Sequence, residues 1–240
     1  MNQPHRWRFI PFIEASGTMQ MAIDKWLLSQ HQHHNHPSVL RFYEWHPVAI
    51  SLGVSQKKSY PSHWHNLQWQ GKPINIVQRP TGGRGVLHQG DLTYSVISSQ
   101  FQGNLDEVYR QISQFLIVGW GNLGLDLHFG APHRQYLKSA NCFALSTNAD
   151  LVDSQGNKFI GSAQLKQGKF VLQHGSMVLE PDLGLYQQVF GEGFTPYKRA
   201  NLPSREEIMA SLEGAAMDCF NCEFFDQPLT DEEMTMIESL

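Results

Sequence analysis

Short runs of β-branched and aromatic residues, each ended within a few positions by proline, glycine or a polar cluster, constrain this chain more than any other feature. Residues 7–13, 39–43, 49–52, 74–77 and 93–97 have this character, and residues 149–152, 159–164, 170–172 and 176–179 repeat it. They are too short for helices and have the composition of strands. The runs from 39 to 97 are expected to share one sheet. Asp153-Ser154-Gln155-Gly156-Asn157 and Lys166-Gln167-Gly168-Lys169 suit hairpin turns, so the middle of the chain is expected to be mostly antiparallel.

Helical periodicity interrupts the strands at a few places. Met19, Ala22, Ile23, Trp26 and Leu27 recur at i, i+3, i+4, i+7 and i+8 behind the caps Ser16 and Thr18, which predicts an amphipathic helix ending in a loop at residues 30–37. A second helix is predicted over 105–123, capped by Asn104 with Glu107 three residues on, its stripe of Leu105, Val108, Tyr109, Ile112, Phe115, Leu116 and Gly119 laid on the sheet. Ser204 with Glu207 and Thr230 with Glu233 form two capping boxes, so two short helices are expected within 204–240. With no repeat, linker or shift in composition, residues 1–240 read as a single α+β domain.

Charge and cysteine content narrow the class. The 18 Lys plus Arg against 22 Asp plus Glu leave a formal charge of −4 and no dense basic stretch, which disfavours nucleic acid as a partner. Three cysteines in 240 residues fit a reducing compartment rather than a disulfide scaffold. No apolar run reaches membrane-spanning length, so a soluble cytoplasmic monomer without membrane contact is expected. The histidine tract His31 to His36 lacks an acidic or thiol neighbour and reads as a solvated linker, not a metal site.

Three stretches carry chemistry. Arg79-Pro80-Thr81-Gly82-Gly83-Arg84-Gly85 places three glycines in four positions between two strand runs, with His88 just beyond. Such a stretch either lets backbone N–H groups approach an anion or carbonyl, with arginine charge beside them, or is a plain glycine-rich turn. Lys158 shares a strand face with Ile160 and Ser162 and opens Lys158-Phe159-Ile160-Gly161-Ser162-Ala163-Gln164, which is followed by Gln173-His174-Gly175-Ser176. It is either a turn lysine or a cation able to polarise a carbonyl, hold a phosphate or lower a thiol pKa. Cys142, among small and polar residues, is either a nucleophile or a buried structural thiol. Cys219 and Cys222 have C-x-x-C spacing without a second ligand pair and are assigned to core packing near a helix end.

Taken together, Arg79-Pro80-Thr81-Gly82-Gly83-Arg84, Val86-Leu87-His88, Leu92-Thr93-Tyr94-Ser95, Lys158-x-x-Gly161-Ser162-Ala163-Gln164 and Leu172-Gln173-His174-Gly175-Ser176 resemble the biotin/lipoate protein ligase and octanoyltransferase catalytic domain. The resemblance covers residues 7 to 185 in the family's order of motifs. It implies an α+β fold around a largely antiparallel or mixed sheet flanked by helices, akin to class II synthetases. Departures include Gly85 where alanine is usual and an altered 144–148 stretch.

What the resemblance implies divides into two chemistries. As a cysteine-dependent octanoyltransferase, which Cys142, Arg84 and Gln164 favour, the chain would need no cofactor. The Cys142 thiolate would take an octanoyl group from acyl carrier protein and pass it to a lysine of a lipoyl domain or glycine-cleavage H protein, with Lys158 lowering the thiol pKa. Backbone groups at Gly82, Gly83, Gly161, Ser162 and Ala163 are candidates for oxyanion stabilisation, and Arg79, Thr81, Arg84, His88, His174 and Gly175 complete the candidate substrate site. As a lipoate or biotin ligase the chain would use ATP and Mg²⁺, with Lys158 on the α-phosphate. A non-catalytic carrier-binding protein on the same fold is the third reading.

Overall fold

The computed structural model describes residues 3–56, 60–130, 150–191, 196 and 198–240. The first half runs β1 (His5–Ala15), α1 (Gly17–His33), β2 (Val39–Trp45), β3 (Ala49–Leu52), β4 (Gln68–Trp69), β5 (Lys72–Pro73), β6 (Asn75–Gln78), β7 (Val86–His88), β8 (Asp91–Ser98) and α2 (Leu105–Asn122). The second half runs β9 (His128–Phe129), β10 (Leu151–Val152), β11 (Lys158–Gln167), β12 (Phe170–Val178), α3 (Leu183–Phe190), α4 (Arg205–Phe220), β13 (Cys222–Asp226) and α5 (Asp231–Glu238).

Among the described residues eight strands make the main sheet, in the order β13-β1-β2-β8-β12-β11-β10-β9. From β2 to β9 the neighbours are antiparallel, whereas β1 lies parallel to both β2 and β13. The expectation of one sheet for residues 39–97 needs correction: β3 pairs with β6 and β7 in a separate sheet, order β6-β3-β7. Strand composition reports half-burial, not which partner supplies it, so the division was invisible in the runs. The runs at 170–172 and 176–179 are one strand, because Gln173, His174 and Gly175 stay in register with β8 and β11 despite their polarity.

Both faces of the main sheet are covered. On one, α2 and α4 bring Val108, Ile112, Phe115, Leu116, Ile208 and Leu212 against Leu40, Phe42, Leu92, Tyr94 and Val96. On the other, α1 and α5 pack Ile23, Trp26, Leu27 and Ile237 against Ile10, Val39, Ile97 and Leu172. Alternation along β2 and β8 feeds the two cores in turn, as the pleat requires. Ser16 is the α1 cap, not Thr18, and the helix continues through His33, past the predicted loop start at 30. The His31 ring is held there by the His36 carbonyl at 2.6 Å and Ser99 Oγ at 3.0 Å.

The capping boxes at Asn104, Ser204 and Thr230 all form. The helix after Ser204 is 16 residues long, not short, and β13 and α3 carried no sequence signal strong enough to predict them. Cys222 is buried in the α2/α4 core and Cys219 is partly buried against it, as core packing required. Residues 141–149, with Cys142 and the start of the strand predicted at 149, lie outside the described residues.

Gly119 sets how closely α2 and α4 approach. A Cβ there would lie 2.8 Å from Leu212 Cδ2 and 3.0 Å from the Leu212 Cα. Gly119→Ala gains about 1 kcal/mol of helix propensity, but pushing α4 outward costs about 1–3 kcal/mol. The variant is expected to unfold at lower urea concentration than the wild-type protein. A midpoint at or above wild type would show that this helix contact yields freely.

Candidate active site

A narrow pocket, about 30 Å³ as a cavity and about 360 Å³ when the open solvent at its mouth is counted, lies where the three-stranded sheet meets the main sheet. Tyr43, Trp45, Thr93, His174 and Ser176 line it from the main sheet, and Ser51, Val86 and His88 from the smaller one. Arg79 and the Gly161, Ser162, Ala163 and Gly175 positions complete the wall. Seven sequence candidates therefore converge: Arg79, His88, Gly161, Ser162, Ala163, His174 and Gly175.

Asp24, wholly buried on α1, organises one side of the pocket. Its Oδ1 accepts from Arg41 Nη2 at 2.7 Å and Nε at 3.0 Å, and its Oδ2 from His174 Nδ1 at 2.9 Å and the Tyr43 hydroxyl at 3.3 Å. Burial alone would raise the carboxyl pKa, but the Arg41 guanidinium and the His174 hydrogen bond outweigh it and bring the pKa down to about 2. The His174 imidazole is pushed below 6.5, because its burial exceeds the pull of Asp24. Burial, then the neighbouring Asp24 charge, drives the Tyr43 phenol well up.

A second chain of bonds faces the first. His88 Nδ1 bonds Asp91 Oδ2 at 2.8 Å and His88 Nε2 meets Ser51 Oγ at 2.9 Å. Asp91 Oδ2 also accepts from Ser176 Oγ at 2.6 Å and Thr93 Oγ1 at 3.2 Å. Trp45 stacks flat on the His88 ring, centroids 3.7 Å apart, with its indole N–H on Thr93 Oγ1. Both histidines thus have both nitrogens hydrogen-bonded inside the protein, which makes them fixed buried rings here rather than free proton carriers.

The glycine-rich stretch is a loop between β6 and β7. Arg79 lines the pocket and locks this loop: it donates to the Gly82 carbonyl at 2.6 and 3.1 Å, the Arg84 carbonyl at 2.8 Å and the Ser51 carbonyl at 3.0 Å. Gly83 adopts φ +90°, and a side chain at Gly53 would strike the carbonyls of Gly82 and Gly83, so the loop sits on β3 backbone to backbone. Thr81 is buried and bonded to His174 Nε2 at 2.7 Å. Gly82, Gly83 and Arg84 flank the pocket without lining it.

Lys158 is not a turn residue. It opens β11, half-buried as a residue with its side chain covered, and its Nζ pairs with buried Asp150 at 2.8 Å, away from the described lining of the pocket. Cys142 lies outside the described residues, so its distance to Lys158 is not part of this geometry. Among the described residues no group of three or more His, Cys, Asp or Glu is placed to hold a metal, and no helix is long and apolar enough to cross a membrane.

Sequence reasoning did not single out Asp24, Arg41, Ser51 and Asp91 as site residues. Two signals were available. Asp24 follows Gln20 by four residues and borders the apolar stripe of α1, and Arg41 interrupts an otherwise apolar strand. A charge in each of two buried faces asks for an ionic partner, and here each is the other's.

Solved structures place this fold among lipoate protein ligases. A Thermoplasma acidophilum protein titled a lipoate protein ligase, with bound lipoic acid, superposes with TM-score 0.78 at 20% identity, covering 98% of this chain and 94% of its own. Lipoate-protein ligase A bound with ATP gives the same score, identity and coverage. The model of the lipoyl protein ligase A/B catalytic domain matches residues 16–232, so the chain belongs to that family of enzymes. Its relatives include proteins named octanoyltransferase LipM. That of Bacillus subtilis is 40% identical over 196 residues, 75% of this chain and 68% of its own. That of Brevibacillus brevis is 32% identical over 264 residues, 98% of this chain and 94% of its own.

Acid should loosen the site in two stages. His174, with its folded pKa below 6.5, contributes stability above that pH that is lost as pH falls through it. Asp24, depressed to about 2, contributes stability that is lost as its carboxylate takes up a proton below the unfolded value, which is about 3.9. Urea unfolding followed from about pH 7 to pH 3 should show both declines, and His174→Gln should lose the upper one. An upper decline that persists in His174→Gln would assign it to other groups.

Proposed function

We propose that this chain is an octanoyltransferase of protein lipoylation that carries the acyl group on Cys142. The observation that carries the reading is its kinship, at 32–40% identity, with relatives named octanoyltransferase. The donor is octanoyl-acyl carrier protein and the acceptor a lysine of a lipoyl domain or glycine-cleavage H protein. The pocket supports this with an apolar wall of Tyr43, Trp45 and Val86, backed by polar groups already hydrogen-bonded to one another.

The chemistry balances without a cofactor. The Cys142 thiolate attacks the donor thioester carbonyl, a new C–S bond forms and the carbonyl electron pair moves to oxygen. Collapse breaks the bond to the carrier sulfur, which leaves as a thiolate and takes up the proton Cys142 gave. The acceptor amine then attacks the acyl-enzyme, forming an amide, losing a proton and returning the cysteine sulfur. Lys158 supplies positive charge to the thiolate, and Asp150 fixes where the ammonium sits.

Mass spectrometry after mixing with octanoyl-acyl carrier protein tests the reading. An octanoyl adduct on Cys142 is expected, with transfer lost in Cys142→Ala and retained in Cys219→Ala and Cys222→Ala. Product formed only with ATP, and wild-type rates in Cys142→Ala, would replace the thioester route with an acyl-adenylate.

Lys158 is tested through the thiol. Lys158→Met removes the cation that pairs with the buried Asp150 carboxylate, so Asp150→Asn, which keeps the ammonium, is made beside it. Lys158→Met should alkylate at Cys142 more slowly at pH 7, its thiol pKa moving toward about 8.5, and Asp150→Asn should not. Coincident alkylation–pH curves for Lys158→Met and wild type would remove the coupling.

A further inference from the structure

The glycine loop touches the main sheet through a chain of three side chains. Asp24 of α1 accepts from His174 Nδ1, and His174 of β12 accepts at Nε2 from Thr81 Oγ1, at 2.9 and 2.7 Å. All three residues are buried, with relative exposures of 0%, 5% and 1%. The polarity of the chain follows from chemistry. Asp24 already accepts from Arg41 and Tyr43, so it meets His174 as an acceptor only and the ring must donate from Nδ1. Nε2 is then the lone-pair nitrogen, and it takes the Thr81 proton.

The loop itself is a stiff unit, because Arg79 binds its carbonyls from within and Gly53 lets it lie on β3. It is therefore part of the smaller sheet, and the Thr81–His174 bond is a tie from that sheet to the main one across the pocket. We infer that Asp24 is a positioning residue for this pocket: it holds His174 in the tautomer that fastens Thr81, and so sets how far apart the two sheets stand around the acyl group. The functional part of this inference rests on the octanoyl-transfer reading; the fastening itself does not.

Asp24 and Thr81 share His174 as a partner. A double-mutant cycle therefore separates this role from ordinary structural support. Amide hydrogen exchange of the 79–88 segment, measured by mass spectrometry, reads the fastening directly. Thr81→Val and Asp24→Asn should each speed it about 10-fold, the effect of one lost hydrogen bond. The double variant should exchange no faster than either single one, and Thr81→Ser should match wild type. In parallel, the KM for octanoyl-acyl carrier protein should rise about 10-fold in Thr81→Val, by the same reasoning, with kcat little changed. Should Asp24→Asn not fold, Thr81→Val against Thr81→Ser still decides. Wild-type exchange in Thr81→Val, or additive effects in the double variant, overturns the inference. A wild-type protein that shows the exchange pattern but transfers no octanoyl group leaves the fastening standing and overturns the functional reading alone.

Discussion

A carboxylate sealed from water between α1 and the main sheet dictates much of what surrounds it. Asp24 is fully buried, and an isolated ion there would be costly enough to force protonation or unfolding. Arg41 answers it with two hydrogen bonds from the adjacent strand, and Tyr43 and His174 use the remaining oxygen. Arg41 also donates from Nη1 and Nη2 to the side-chain and backbone oxygens of Gln20. A group of this kind stabilises weakly in net terms but penalises any arrangement that leaves one member unpaired. Helix α1, strand β2 and strand β12 are thereby held in one register.

That register explains why the two faces of the main sheet differ. Toward α2, strands β8 and β2 present Leu92, Tyr94, Val96, Leu40 and Phe42 to an apolar core. Toward α1, near the smaller sheet, the same strands present Asp91, Thr93, Arg41 and Tyr43, all buried, with Thr93 bonded to Asp91 and both Arg41 and Tyr43 bonded to Asp24. The pocket forms on this polar side. A ligand there meets side chains whose hydrogen bonds are made in advance, so binding requires little reorganisation. The glycine loop adds a wall built from backbone, which Arg79 keeps in place.

Much of the fold was legible because it depends on local periodicity. The stripe of α2, the caps at Asn104, Ser204 and Thr230, and the strand runs at 39–43 and 93–97 appear where pattern placed them. Strands β13 and the divided small sheet were not legible. Residues Cys222–Asp226 follow α4 directly and become a strand through pairing with β1, a partner more than two hundred residues earlier in the chain. Similarly, β3 looks no different from β2 in sequence, and only its pairing with β6 and β7 removes it from the main sheet. Single-strand composition contains no information about which edge is free to receive it.

For the site the same division applies. Glycines at 82 and 83, the arginine before them and the histidines at 88 and 174 were recognisable from residue type and spacing, and their motifs pointed to the family to which the chain belongs. The sequence by itself therefore determined the class of fold, the helix ends and most of the residues that gather around the pocket. Tertiary structure decided what those residues do. It tied Arg79 to the loop carbonyls, paired Lys158 with Asp150 and gave each histidine a carboxylate from elsewhere in the fold or from the next turn. The reason is physical: a side chain's charge and proton placement depend on the partners that burial forces on it, and Asp24 and His174 stand 150 positions apart in the chain.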